Sequence, residues 1–194
     1  MKELQVDPKA KALIFDVDGT LVHSMPLHYK AWVKVGEKYN FHFPEDLFYE
    51  LAGVPTPGIA KVIIEKLDLT HAIDQLAEEK EDTYIGMIDE IRPVQKVVDL
   101  VKAYHGQLPL AAGTGSPRIN ATKTIQTIGI FELFKVLVTY EDVENPKPAP
   151  DTFLKCADYL KVEPRFCQVF EDGDPGLEAA NKAGMIVTDV RQFI

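Results

Sequence analysis

Apolar residues along the chain follow two alternating patterns. Five short, mainly apolar runs occur at 12–15, 108–112, 136–139, 168–170 and 186–188. Each has the length of a buried strand and is too short for a helix. From residue 94 onward the runs alternate with stretches of helical period. Val97, Val98 and Val101 share one face of 94–104, and further helices are predicted over 117–128, 150–160 and 174–184. Pro150 suits a first helical turn. Asp174 and Pro175 read as an N-cap and first helical residue, and Gly184 as the C-cap.

The interval between the first two strands is different. Leu27, Ala31, Trp32, Val35 and Tyr39 lie at helical spacing over 27–39, and 41–44 forms a break. Further helices are expected over 45–51, 59–68 and 70–91, with a Pro- and Gly-rich loop at 52–58. No strand is expected between 24 and 91. Strand–helix alternation implies an α/β fold with a doubly wound parallel sheet. The insert divides the chain into core residues 1–23, an all-helical cap over 24–92 and the remainder of the core over 93–194.

Composition narrows the class. A chain of 194 residues, 46% hydrophobic and 26% charged, can build one sizeable core with a smaller appended unit. A formal net charge of −9 argues against nucleic acid or an anionic membrane as the main partner. Any phosphate ligand must then be held by local devices, namely a metal, a lysine and backbone amides. Cys156 and Cys167 form no Cys-x-x-Cys pair and are expected to pack. Residues 1–11 lack the apolar segment of a signal peptide, and no run approaches membrane-spanning length. A cytoplasmic location is the expectation.

Chemistry-bearing residues gather where the strands end. The first strand stops on Asp16, Val17, Asp18 and Gly19. In open α/β sheets ligands bind at the carboxyl ends of the strands. Two carboxylates this close repel unless a cation or shared proton joins them. A solvated surface turn is the plain alternative, but apolar residues flank the pair on both sides. A calcium loop would need oxygen ligands at 20 and 27 and a glycine at 21, and Leu21 and Leu27 exclude it. After the second run come Gly113, Thr114, Gly115 and Ser116, whose small residues let backbone N–H groups approach an anion. The third is followed by Lys147 between Pro146 and Pro148, which restrict the backbone around it. The fourth ends on Glu171 and Asp172, with Asp174 expected to serve only as a cap.

These four clusters, in this order, resemble the motifs of the haloacid dehalogenase superfamily. The likeness is to its branch of β-phosphoglucomutase-like and fructose-1-phosphatase-like enzymes. The third cluster is similar to that superfamily's Lys-Pro-x-Pro motif, and the fourth to its acidic pair followed by glycines. The resemblance implies Asp16 as nucleophile and Asp18 as general acid and base. It implies Thr114 and Lys147 as holders of the phosphoryl group, with Gly115 supplying a backbone donor. Mg²⁺ is implied on Asp16, the carbonyl of Asp18, and Asp172, with Glu171 as a ligand or support.

The resemblance also makes the helical insert a cap that selects the substrate. His28 matches a position where phosphoglucomutases carry a histidine, and Lys80 is expected to face the sugar; a packing or surface role is the alternative for both. Trp32 is expected in the core. Related mutases hold a second phosphate with an arginine in the loop here numbered 53–58, which in this chain carries no positive charge. The expected activity is therefore a Mg²⁺-dependent phosphatase of small, fructose 1-phosphate-like sugar phosphates. The alternative is a β-phosphoglucomutase, and a distant third a metal-bound interaction domain. Dehalogenation would not need Asp18. His23 departs from the aspartate of many relatives and bears on the hinge. Oligomeric state has no signature in the sequence.

Overall fold

A computed structural model describes residues 3–51 and 54–194. Five parallel strands form one sheet: β1 (Ala12–Phe15), β2 (Leu110–Gly113), β3 (Val136–Val138), β4 (Cys167–Glu171) and β5 (Ile186–Asp189). Their order is β3-β2-β1-β4-β5. The chain moves outward from β1 through β2 to β3, then returns to the other side of β1. Phe15 lies between Ala112 of β2 and Phe170 of β4. This reversal opens a crevice at the carboxyl end of β1, and three of the four polar clusters follow the strands that border it.

The helical insert comes between β1 and the rest of the core. Its four α-helices are α1 (Met25–Tyr39), α2 (Glu45–Glu50), α3 (Thr56–Leu67) and α4 (Ile73–Ile85). They enclose an apolar cluster of their own around Trp32, Phe43, Phe48, Ile63 and Leu76. Entry and exit run side by side. The His23 N–H donates to the Arg92 carbonyl at 2.8 Å, and Val22 bridges Pro93.

Strand alternation splits the sheet's own packing into two layers. Leu13 and Phe15 face Val97, Val98 and Val101 of α5 (Gln95–Tyr104) and Ile125 of α6 (Arg118–Thr127). Ala12 and Ile14 face Phe153 and Cys156 of α7 (Asp151–Leu160) and Ala179 of α8 (Asp174–Lys182). Both cysteines are buried free thiols. Covering on both faces explains why the strand sequences are apolar runs rather than alternating ones.

Several expectations about the ends of elements need correction: Pro150 is the N-cap of α7 rather than in its first turn, and the C-cap of α8 is Ala183 rather than Gly184. The helix expected over 70–91 stops at Ile85, and a separate 3₁₀ turn covers Ile88–Glu90. The reason is burial: Met87, Ile88 and Ile91 join the sheet-side cluster, so the chain bends back toward the core. Asp174 is the first residue of α8 rather than its cap, which is Gly173. Its carboxylate instead pairs with Arg191 at 2.9 Å. Ala52 and Gly53 of the expected loop lie outside the described residues. The rest of that loop is shorter than expected, because Pro57 falls in the first turn of α3, where a missing N–H costs nothing.

Leu76 is fully buried beside Trp32, the chain's single tryptophan. Leu76→Ala is expected to lower stability by roughly 2–5 kcal/mol. Urea unfolding followed by Trp32 fluorescence measures it, and a loss below about 1 kcal/mol would show that the insert does not depend on this packing.

Candidate active site

Asp16 continues the line of β1, its N–H donating to the Phe170 carbonyl at 3.0 Å. The residue is 5% exposed. Lys147 reaches over from the loop after β3. Its Nζ lies 2.7 Å from Asp16 Oδ1, 2.7 Å from Glu171 Oε2 and 3.2 Å from the Gly113 carbonyl, and 4.6 Å from the centre of the Phe153 ring. One ammonium thus joins three strand ends.

Glu171 is occupied on both sides. Oε1 accepts the N–H groups of Asp172 and Gly173 at 3.1 and 2.8 Å, while Oε2 holds Lys147. Asp172 Oδ1 accepts from the Thr20 hydroxyl at 2.8 Å. Carboxylate oxygens of Asp16, Glu171 and Asp172 lie within 4.8 Å of one another, and Asp16 Oδ2 is buried without a partner. Two glycines make room. Gly19 has φ +88°, and a Cβ there would fall 2.0 Å from Asp172 Oδ2; one at Gly176 would fall 1.9 Å from Glu171 Oε2.

The electrostatics follow from burial and crowding. Burial, then the charge of Glu171, hold Asp16 well above the ordinary carboxylate range, against the pull of Lys147. The same causes push Asp172 up to about 6. Burial works against the Lys147 ammonium, but Asp16 and Glu171 prevail and hold its pKa above the ordinary lysine value.

Asp18 turns the other way. Its Oδ1 lies 3.2 Å from His28 Nε2, and its Oδ2 lies 2.5 Å from the Ser116 hydroxyl and 3.5 Å from that of Thr114. His28 Nδ1 is 2.8 Å from Lys80 Nζ. An ammonium can only donate, so Nδ1 accepts and Nε2 carries the proton that points at Asp18. Tyr84 stacks on the imidazole with centroids 4.1 Å apart. Burial alone would raise Asp18, yet the hydrogen bond and charge of His28, with Ser116, hold it well below the carboxylate range. Burial, then the nearby Lys80, lower the pKa of His28. The two aspartates of the first cluster thus have opposite proton affinities.

All nine residues singled out in the sequence converge here. Asp16, Asp18, Thr114, Gly115, Lys147, Glu171 and Asp172 line a cavity of about 670 Å³ together with His28 and Lys80. Trp32, Phe48 and Ile59 add an apolar wall, so Trp32 both packs and borders the cavity. The carboxylate of Asp18 is not part of the cluster formed by Asp16, Glu171 and Asp172. Thr20 and Glu81 were not singled out. Thr20 sits inside the first motif, but its use depends on Asp172, 152 positions away. Glu81 lies in a run of surface-type charges and has no signal in sequence.

Five parallel strands with acids at the ends of β1 and β4 define a class, and comparison with known proteins supplies its name. Residues 10–184 match the haloacid dehalogenase-like hydrolases, and the chain belongs to that family. It is 41% identical over 180 residues to the fructose-1-phosphate phosphatase YqaB of Escherichia coli K12, covering 92% of this chain and 95% of that protein. A phosphorylated carbohydrates phosphatase of Thermotoga maritima is 31% identical over 179 residues, covering 90% and 82% of the two chains. The crystal structure of a β-phosphoglucomutase from Clostridium difficile superposes with a TM-score of 0.80 at 27% identity, covering 92% of this chain and 83% of that one.

The raised carboxyl has a measurable consequence. Asp172 binds protons more tightly folded, with a pKa of about 6 against an ordinary 3.8, so the folded state holds the extra proton between these values. With cations removed by a chelator, thermal stability should therefore fall as pH rises from about 4 to about 6. Asp172→Asn should flatten that decline. Calorimetry across the range tests it, and an unchanged slope in the variant would assign the effect to other groups.

Proposed function

We propose that this hydrolase is a Mg²⁺-dependent phosphoric monoester hydrolase of small phosphorylated sugars, fructose 1-phosphate-like in preference, working through an aspartyl-phosphate intermediate on Asp16. The observation that carries the reading is the opposed pair of acids. Asp16 lies against a buried ammonium and beside two other carboxylates. Asp18, in the same cavity, faces hydroxyls and an imidazole. The phosphatase relatives support the substrate class.

The residues fit a hard divalent cation. Three carboxylates crowd together, Asp16 Oδ2 is buried without a partner, and burial, then the charge of Glu171, raises the proton affinity of Asp16 and Asp172. Asp16, Asp172 and the Asp18 carbonyl would hold Mg²⁺, and Glu171, with both oxygens engaged, would support Lys147 and the loop rather than ligate. When bound, the ion supplies positive charge that offsets repulsion between carboxylate and phosphate.

The chain's own groups account for the remaining steps. Lys147 neutralises charge on the transferring phosphoryl group, and the Thr114 hydroxyl and Gly115 N–H donate to its oxygens. Asp16 attacks phosphorus as the ester P–O bond breaks. A phosphate dianion brought beside Asp18 raises its proton affinity, so the acid can be protonated before transfer. Asp18 gives that proton to the leaving sugar oxygen, then takes one from the water that cleaves the aspartyl phosphate. Sugar and inorganic phosphate are the products.

The cap loop favours hydrolysis over mutase chemistry. No cation stands in 53–58, and the Thr56 hydroxyl in that stretch is bonded to Glu81. Residues 24–92 are the unit that works as the cap, and the paired connections at His23 and Arg92 form its hinge.

Phosphate and sugar products from fructose 1-phosphate, glucose 6-phosphate and β-glucose 1-phosphate, with and without Mg²⁺, test the reading. Metal-dependent phosphate release is expected, and Asp16→Asn should lower it by at least about a thousandfold, the scale of losing a nucleophile. Glucose 6-phosphate formed from β-glucose 1-phosphate with little free phosphate would establish a mutase instead.

A further inference from the structure

Glu81, on α4 of the insert, holds three hydrogen bonds to three different side chains. Its Oε1 accepts from Lys80 Nζ at 3.0 Å and from the Thr56 hydroxyl at the start of α3. Its Oε2 accepts from Nδ2 of Asn120, on α6 of the sheet domain. Asn120 is 1% exposed and Glu81 half-buried, so this contact spans the insert and the core. One turn along, Tyr84 of α4 meets Thr124 of α6 at 3.1 Å, making a second rung between the same helices.

Lys80 is 3% exposed and cannot keep a charge there unaided. Burial pulls its proton affinity down, and Glu81 is the largest opposing influence. The ammonium in turn governs its neighbour. Lys80 donates to His28 Nδ1, which keeps the imidazole proton on Nε2, facing Asp18. Glu81 thus steadies the donor that fixes the imidazole, and the imidazole holds one oxygen of Asp18 while Ser116 holds the other.

We propose that Glu81 is a positioning residue for Asp18. It keeps Lys80 charged and in place, and through Asn120 it does so only while the insert is seated on the core. Lys80 and Thr56 both line the cavity, so the latch and the substrate share a wall. The proposal rests on the phosphatase reading, in which Asp18 protonates the leaving oxygen.

That role predicts dependence on the leaving group. A sugar alkoxide needs the proton, whereas the nitrophenolate of 4-nitrophenyl phosphate departs without it. The value of kcat/KM, which reports the phosphoryl-transfer step, would be compared for both esters at saturating Mg²⁺, with the best sugar phosphate of the panel above. Glu81→Gln keeps the shape and removes the charge. It should cost about tenfold more on the sugar phosphate than on the aryl phosphate, a fraction of the usual contribution of a general acid. Asn120→Ala, which leaves the cap's charges intact, should show the same bias to a smaller degree.

The ratio of the two losses decides. A ratio of about threefold or more in Glu81→Gln, or in Asn120→Ala if the first variant does not fold, supports the role, and a smaller ratio overturns it. Equal losses would mean that Glu81 only holds the structure together. If the wild type hydrolysed neither ester, the phosphatase reading would fail and this role with it; a discriminating wild type with unbiased variants would remove the role alone.

Discussion

One ammonium among carboxylates holds the centre of the molecule together. Lys147 is buried against Asp16 and Glu171, and those acids stand where β1 and β4 end side by side. Removing either kind of charge would leave the other uncompensated in a poorly solvated place. The chain as a whole carries a net charge of −9, so this local balance is opposite in sense to the global one. The charge at this site is set by placement, not by overall composition.

The fold produces that placement by reversing direction at β1. Strands on either side bring the loops after β2 and β4 to the end of β1, and Lys147 reaches them from the loop after β3. Close approach then needs residues without side chains. Gly19 lies against Asp172 and Gly176 against Glu171, so the acidic cluster exists only because neither position carries a Cβ. The stack of Phe15 on Phe170, with centroids 4.8 Å apart, supports the same two strands from beneath.

The helical insert adds a second polar seam with its own logic. His28, Lys80 and Glu81 link Asp18 to Asn120, so the core touches the insert through a chain of buried and half-buried polar groups as well as apolar contact. Such chains constrain geometry more sharply than apolar packing, because each member must keep its partners. Asp16, Glu171 and Asp172 are held by partners within the core, whereas Asp18 is held by both the core, through Ser116, and the insert, through His28.

Much of this was legible along the chain. Short apolar runs announced the five strands, because strands covered on both faces have no need of polar positions. Three of the four polar clusters were visible because each follows its strand directly, and the fourth, around Lys147, because prolines mark its loop. The resemblance then carried roles onto Asp16, Asp18, Lys147 and Asp172. What the sequence could not hold was partnership. That Lys147 holds Glu171, that Asp18 turns toward His28 and away from Asp16, and that Thr20 braces Asp172 depend on partners that only the fold brings together. The end of α4 at Ile85 and the pairing of Asp174 with Arg191 were likewise settled by burial and by a distant charge. Periodicity and strand-end chemistry are local and were determined by the sequence alone; the direction each buried polar side chain faces was decided by the tertiary structure, because it depends on which distant partner satisfies it.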